Sequence, residues 1–167
     1  HAKYWDKAEE IFPEMQRIDS EDFIERSAAS FYNSWEKALE RFPDYFPDEL
    51  TEALPAYVNA MEDIYREMGN RTKTVIHGDV RMDNALFGNG LPGLLPVILI
   101  DWQNIMISNP LYDIGWMMFT SLPVEIRRKC ENDVLRRYVN KLESEGVVGY
   151  SIEQCEKDYD VALLFII

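Results

Sequence analysis

Thr74-Val75-Ile76-His77-Gly78-Asp79-Val80-Arg81-Met82-Asp83-Asn84 is the stretch from which the fold is read. Its three β-branched leading residues predict a short buried strand. His77-Gly78-Asp79 ends that strand, and the chain turns through Val80 to Asp83 before reaching Asn84. Ala85-Leu86-Phe87 predicts a second short strand. The apolar run Leu95-Pro96-Val97-Ile98-Leu99-Ile100 predicts a third, ending in Asp101. Asp79 and Asp101 thus stand just past strand ends, with Asn84 in the loop between. Loops on a rigid scaffold carry catalytic side chains in such places.

These residue types suit phosphoryl transfer. That reaction needs a carboxylate to orient the attacking hydroxyl and hard oxygen ligands to hold magnesium on nucleotide phosphates. An Asp, four residues and an Asn is the catalytic-loop spacing of protein kinases, whose motif begins His-Arg-Asp. Here Gly78 stands in place of that Arg. The loop, followed by Ile100-Asp101-Trp102-Gln103, resembles instead the aminoglycoside phosphotransferase and choline-kinase-like small-molecule kinases, ecdysteroid-kinase-like members among them. Asn109-Pro110-Leu111-Tyr112-Asp113-Ile114-Gly115-Trp116 extends the match, which is strongest from Lys73 to Met118.

The resemblance implies a mainly helical α+β chain: the C-terminal lobe of a protein-kinase-like fold, with a small β insertion carrying the catalytic loop. That lobe spans residues 1–167, and the N-terminal nucleotide-binding lobe is expected outside the chain. His1-Ala2-Lys3-Tyr4-Trp5 resembles the Leu-His-Ala-x-x-Trp stretch that opens the helical lobe in this family. The apolar run from Val161 to Ile167 carries no helix-stop signal, which fits the same expectation of a piece of a longer protein.

Each site residue has a role to be weighed. Asp79 is expected to orient the acceptor hydroxyl, against a plain turn-capping Asp. Asn84 and Asp101 are expected magnesium ligands, with ATP or GTP as co-substrate and a hydroxylated small molecule as acceptor. The resemblance makes His77 a structural support under the loop, although a His also suits general-base work. Asp113 is expected as a buried brace, satisfied by loop amides. Arg81 either holds a phosphate or pairs with a carboxylate. Gln103, where protein kinases have Gly, is a candidate for orienting water or substrate. Trp5, Trp35, Trp102 and Trp116 are assigned to the core.

Two rival functions are weighed beside the kinase. A metallophosphoesterase needs several His ligands around two metals, and the chain has two His in all. A catalytically inactive, pseudokinase-like binding scaffold stays open as the alternative, because the Lys that the resemblance assigns to the nucleotide phosphates is expected in the N-terminal lobe, outside residues 1–167.

The remaining elements follow from periodicity and punctuation. Helices are predicted over residues 3–18, with Pro13 inside the pattern, from Asp19 or Ser20 to Phe42, and from Asp48 to Met68, stopped by Gly69-Asn70. Residues 102–109 are read as a loop, followed by helices over 110–122 and 123–145. Ser151-Ile152-Glu153-Gln154 reads as a capping box for a last helix. Residues 88–93 spell Gly-x-Gly-x-x-Gly, but no helix follows, so a hairpin turn is the reading adopted.

A net charge of −13 argues against nucleic acid or an anionic membrane surface as partner. No apolar run is long enough to span a bilayer and no signal peptide is visible. Cys130 and Cys155 fit reduced thiols in a cytoplasmic protein. Oligomeric state has no signal in the sequence.

Overall fold

A computed structural model describes residues 1–166. Ile167, which closes the apolar run, lies outside them. Six helices and four short strands follow in the order α1 (Ala8–Ile11), α2 (Glu21–Arg41), α3 (Asp48–Gly69), β1 (Thr74–Ile76), β2 (Ala85–Phe87), β3 (Val97–Leu99), β4 (Met106–Ser108), α4 (Leu111–Ser121), α5 (Val124–Ser144) and α6 (Ile152–Ile166). The architecture is mainly helical with two small antiparallel sheets.

Helix α4 lies at the centre because its sequence is apolar on nearly every side. Leu111, Tyr112 and Met118 join Met68 of α3, Leu135 of α5, and Tyr159 and Ala162 of α6 in one core. Helix α2 contributes Ile24 to it, with Phe23 and Phe31 packed alongside in the predicted three-four spacing. Pro55 sits inside α3 without ending it.

The two sheets place the loops. β2 and β3 form a hairpin in which Ala85 faces Leu99 and Phe87 faces Val97, so the hairpin turn expected at 88–93 lies in their connection, which runs on to Pro96. β1 pairs antiparallel with β4, Thr74 against Ser108 and Ile76 against Met106. β4 was hidden in the sequence: the span read as a loop holds a three-residue strand, Met-Ile-Ser, too short to show alternation. Residues 16–18 run beside it, with Ile107 N–H donating to the Gln16 carbonyl at 2.8 Å and Ile18 N–H to the Ile107 carbonyl at 3.1 Å.

The N-terminal helix differs most from expectation. Instead of spanning 3–18, it is a 3-10 turn at Ala2–Tyr4 and the four-residue α1. Asp6 interrupts it with φ 52°; its N–H donates to the Lys73 carbonyl at 2.9 Å and its Oδ1 accepts from Lys73 N–H at 3.3 Å. The tie to the start of β1 outweighs helix continuation, and Pro13 follows too soon for recovery. Gly69 also does other work than stopping α3. It lies within the helix, and a Cβ there would sit 2.2 Å from the Asp19 Cβ, so its lack of a side chain admits the α2 entry loop. At α6 only half of the capping box forms: Gln154 N–H donates to Ser151 Oγ at 3.2 Å, while the Gln154 amide turns to Asp158.

Asp158 is the fully buried polar hub of the helical body. Its carboxylate accepts from Arg71 Nη1 at 2.6 Å, Gln154 Nε2 at 2.7 Å, the Tyr150 hydroxyl at 2.7 Å and Asn109 Nδ2 at 3.1 Å. Burial works against the Arg71 charge, but the bonds to Asp158 and Glu67 outweigh it and hold the guanidinium above its ordinary range. Asn109 also donates to the Thr72 carbonyl and accepts from Leu111 N–H, so the hub joins the segments leading into β1 and α4. Both cysteines are free, and burial pushes the Cys155 thiol up to about 12. Among the described residues no helix is long and apolar enough to cross a membrane.

Candidate active site

The loop after β1 is held from below by two side chains. Asp113, in the first turn of α4, is buried; its Oδ2 accepts from His77 N–H at 2.8 Å and its Oδ1 from Gly78 N–H at 2.9 Å. Burial pushes the Asp113 carboxyl above the usual carboxylate range, while these two amides pull it back down. With both oxygens engaged as acceptors, the geometry suits the ionised form. His77 is also buried. Its Nδ1 accepts from Asp79 N–H at 3.3 Å, which leaves Nε2–H to donate to the Ile100 carbonyl at 2.9 Å. With both ring nitrogens bonded to backbone, His77 ties the loop to the end of β3 and presents no free nitrogen to a substrate.

Gly78 explains why no Arg stands there. Its φ is +81°, and a Cβ would lie 2.2 Å from the Asn104 carbonyl oxygen. Backbone cannot retreat as a flexible side chain can. Gly78→Ala is therefore expected to cost about 2–4 kcal/mol, read as a lowered urea midpoint. Gly90→Ala, also at positive φ but with open space around it, should cost about 1 kcal/mol. Equal losses at the two sites would show that the Asn104 contact is unimportant.

Asp79 emerges at the top of this support with its side chain 13% exposed. Trp116 Nε1–H donates to its Oδ1 at 2.9 Å, and Asn84 Nδ2 donates to its backbone carbonyl at 2.9 Å and its Oδ2 at 3.2 Å. Arg81 Nε lies 3.6 Å from Oδ1. The carboxylate that Arg81 faces is thus Asp79 itself. Trp116 packs against the core as assigned, its ring stacked on the core residue Tyr112 at 5.9 Å between centroids, and its indole N–H has the further task of orienting Asp79. Trp102 does depart from its core assignment, being about half exposed with its ring 4.4 Å from that of His77. No periodicity could reveal either role, because each depends on which loop meets the ring.

Asn84 and Asp101 approach each other through the backbone, where Ile100 N–H donates to the Asn84 carbonyl at 2.9 Å. Asn84 is buried, and both bonds from its amide nitrogen point at Asp79; its Oδ1 accepts no hydrogen bond among the described residues. Asp101 is exposed in the left-handed region at φ 64°, a conformation Asp tolerates better than most residues. Its side chain makes no ion pair among the described residues. An amide oxygen and a free carboxylate are hard donors that fit magnesium, which takes few protein ligands and completes its shell with phosphate oxygens and water. Among the described residues no three His, Cys, Asp or Glu side chains gather around a common point. Gln103 is exposed in the 3-10 turn Trp102–Asn104 and makes no side-chain hydrogen bond among the described residues.

The sequence missed Ser121 as well. From the end of α4 its Oγ accepts from Met82 N–H at 3.1 Å, fixing the outer side of the loop.

Compared with known proteins, residues 3–147 match the model of the ecdysteroid kinase-like family. No curated protein and no solved structure matches the chain.

Proposed function

We propose, on the premise that this chain belongs to the ecdysteroid kinase-like family, that it moves the γ-phosphate of ATP or GTP to a hydroxyl of a small molecule. The observation that carries this reading is the Asp79 carboxylate, held by Trp116 and Asn84 on a braced loop. Asp79 accepts the hydrogen bond of the acceptor hydroxyl and aligns its oxygen for in-line attack. Orientation is most of what the loose transition state of phosphoryl transfer requires. Asn84 and Asp101 would hold magnesium, whose chemistry when bound is to offset charge on the nucleotide phosphates. Arg81, half exposed beside Asp79, is placed to meet a phosphate or to pair with that carboxylate.

On this reading residues 1–167 are the catalytic lobe of a kinase-like fold. The hairpin 85–100 contains no charged residue, and Leu86, Phe87, Val97 and Ile98 are exposed on it. That surface suits the nucleotide base and a covering lobe. As the acceptor side we take a cleft of ≈ 510 Å³ between α2, α3 and the end of α6, walled by Phe31, Tyr57, Tyr65 and Phe165 on its aromatic side and by Arg26 and three serines of α2 on the other. Its wall continues to Trp116 through the Phe165–Tyr112 and Tyr112–Trp116 ring pairs, at 5.1 and 5.9 Å between centroids. A flat, apolar ring system bearing hydroxyls suits such a wall, and the steroid alcohols after which the family is named have that form.

The test is phosphate transfer by the native full-length protein. With magnesium-ATP and a panel of hydroxylated acceptors that includes steroid alcohols, a phosphorylated acceptor is expected by mass spectrometry. Asp101→Ala is expected to weaken magnesium-nucleotide binding by about tenfold or more in calorimetry, through loss of a charged ligand. Nucleotide bound without transfer to any acceptor would favour a binding scaffold over the phosphotransferase.

A further inference from the structure

We propose that His1 is a positioning residue for the catalytic loop, acting through Asp113. The inference rests on the phosphotransferase reading for its functional meaning, but its geometry stands apart from it. His1 Nε2 lies 3.3 Å from Asp113 Oδ2, the oxygen that also accepts from His77 N–H. His1 Nδ1 lies 2.9 Å from the Tyr138 hydroxyl of α5. Burial holds the Tyr138 hydroxyl well above its ordinary range, so it is a standing O–H donor. Tyr138 O–H donating to Nδ1 leaves Nε2–H to donate to Asp113. The backbone of His1 is pinned too, since Thr74 Oγ1 of β1 donates to its carbonyl at 2.9 Å.

The result is one directed path, from Tyr138 through His1 and Asp113 to the amides of His77 and Gly78, which lead directly to Asp79. Asp113 needs this partner. It is buried, its two amide bonds leave lone pairs unused, and no other basic side chain pairs with it among the described residues. A donor from outside the loop fixes the carboxylate plane, and that plane sets the two amides. The His1 side chain is 21% exposed, and among the described residues its hydrogen bonds go to Tyr138 and Asp113 and not to a residue proposed to meet substrate or metal. Its effect therefore passes through the loop.

The experiment uses the native full-length protein with His1→Leu, His1→Gln and Tyr138→Phe. Amide hydrogen exchange is read at His77 and Gly78, with amides of α2 as the control. In His1→Leu, exchange at these two amides is expected to rise about tenfold, the worth of one hydrogen bond to a charged group, with the control unchanged. His1→Gln, whose Nε2 can donate at the same reach, should restore protection, and Tyr138→Phe should give a smaller rise. In turnover, His1→Leu should lower kcat severalfold and leave both KM values unchanged. Unchanged exchange at His77 and Gly78, or a rise spread equally over α2, overturns the proposal. If the wild-type protein transfers no phosphate at all, the phosphotransferase reading fails, while the exchange measurement still decides what His1 does.

Discussion

Asp79→Asn is expected to lower kcat by about a hundred- to ten-thousandfold, the usual worth of a positioned catalytic base, while nucleotide affinity changes little. The substitution keeps size and shape. Its amide oxygen can still accept from Trp116 Nε1, as Asp79 Oδ1 does at 2.9 Å. What changes is the other edge. Asn84 Nδ2 donates to Asp79 Oδ2 at 3.2 Å, and an amide nitrogen placed there would meet it donor to donor. The acceptor hydroxyl loses its anionic partner as well. Asn84 and Asp101 keep their oxygens, so magnesium-nucleotide binding should persist in calorimetry. Turnover within about tenfold of wild type would remove Asp79 from the role proposed for it.

Asp158→Ala is expected to be the most destabilising single change away from the site, at about 3–5 kcal/mol. The carboxylate is fully buried and is met by four donors from the α3–β1 connection, the β4–α4 connection, the α5–α6 loop and α6 itself. Removing it takes from Arg71, whose side chain is 17% exposed, its buried partner and leaves the half-exposed Glu67, and it leaves Asn109, Tyr150 and Gln154 without their shared acceptor. Breaking a buried pair from one side costs more than the pair contributed, because the partners left behind stay desolvated. A fall in Tm of about 10 °C follows for a domain of this size. Asp160→Ala, two residues on and exposed, should stay within about 0.5 kcal/mol. Similar losses at the two positions would show that Asp158 is not a hub. Asp158→Asn should fall between, since its amide keeps the volume and one acceptor oxygen.

Local pattern carried the helices well. The three-four spacing of Phe23, Ile24, Phe31 and Leu39 marked α2, and prolines or glycines marked most ends, because helix period and backbone punctuation are properties of neighbouring residues. It failed where distant segments intervene. Asp6 left the helix to bond Lys73, and Met106-Ile107-Ser108 became a strand only because Thr74-Val75-Ile76 lay beside it. A three-residue strand has no periodicity of its own to read.

The candidate site divides in the same way. Spacing between Asp79 and Asn84, and the apolar run before Asp101, were legible because both sit within one short span of chain. The approach of Asn84 to Asp79, the Asp113 bonds to the loop amides, and the family match over residues 3–147 lie on residues the sequence had already singled out. Trp116, Ser121, Asn104, Asp158 and His1 were not legible as partners. Each meets its target from 26 or more positions away in the chain, except Asp158 in its bonds to Tyr150 and Gln154. Sequence alone determined which groups are candidates for the chemistry, since a carboxylate, an amide oxygen and a second carboxylate are fixed by residue type. Tertiary structure decided how those groups are held, because a hydrogen bond between distant residues exists only once packing has brought the donor to the acceptor.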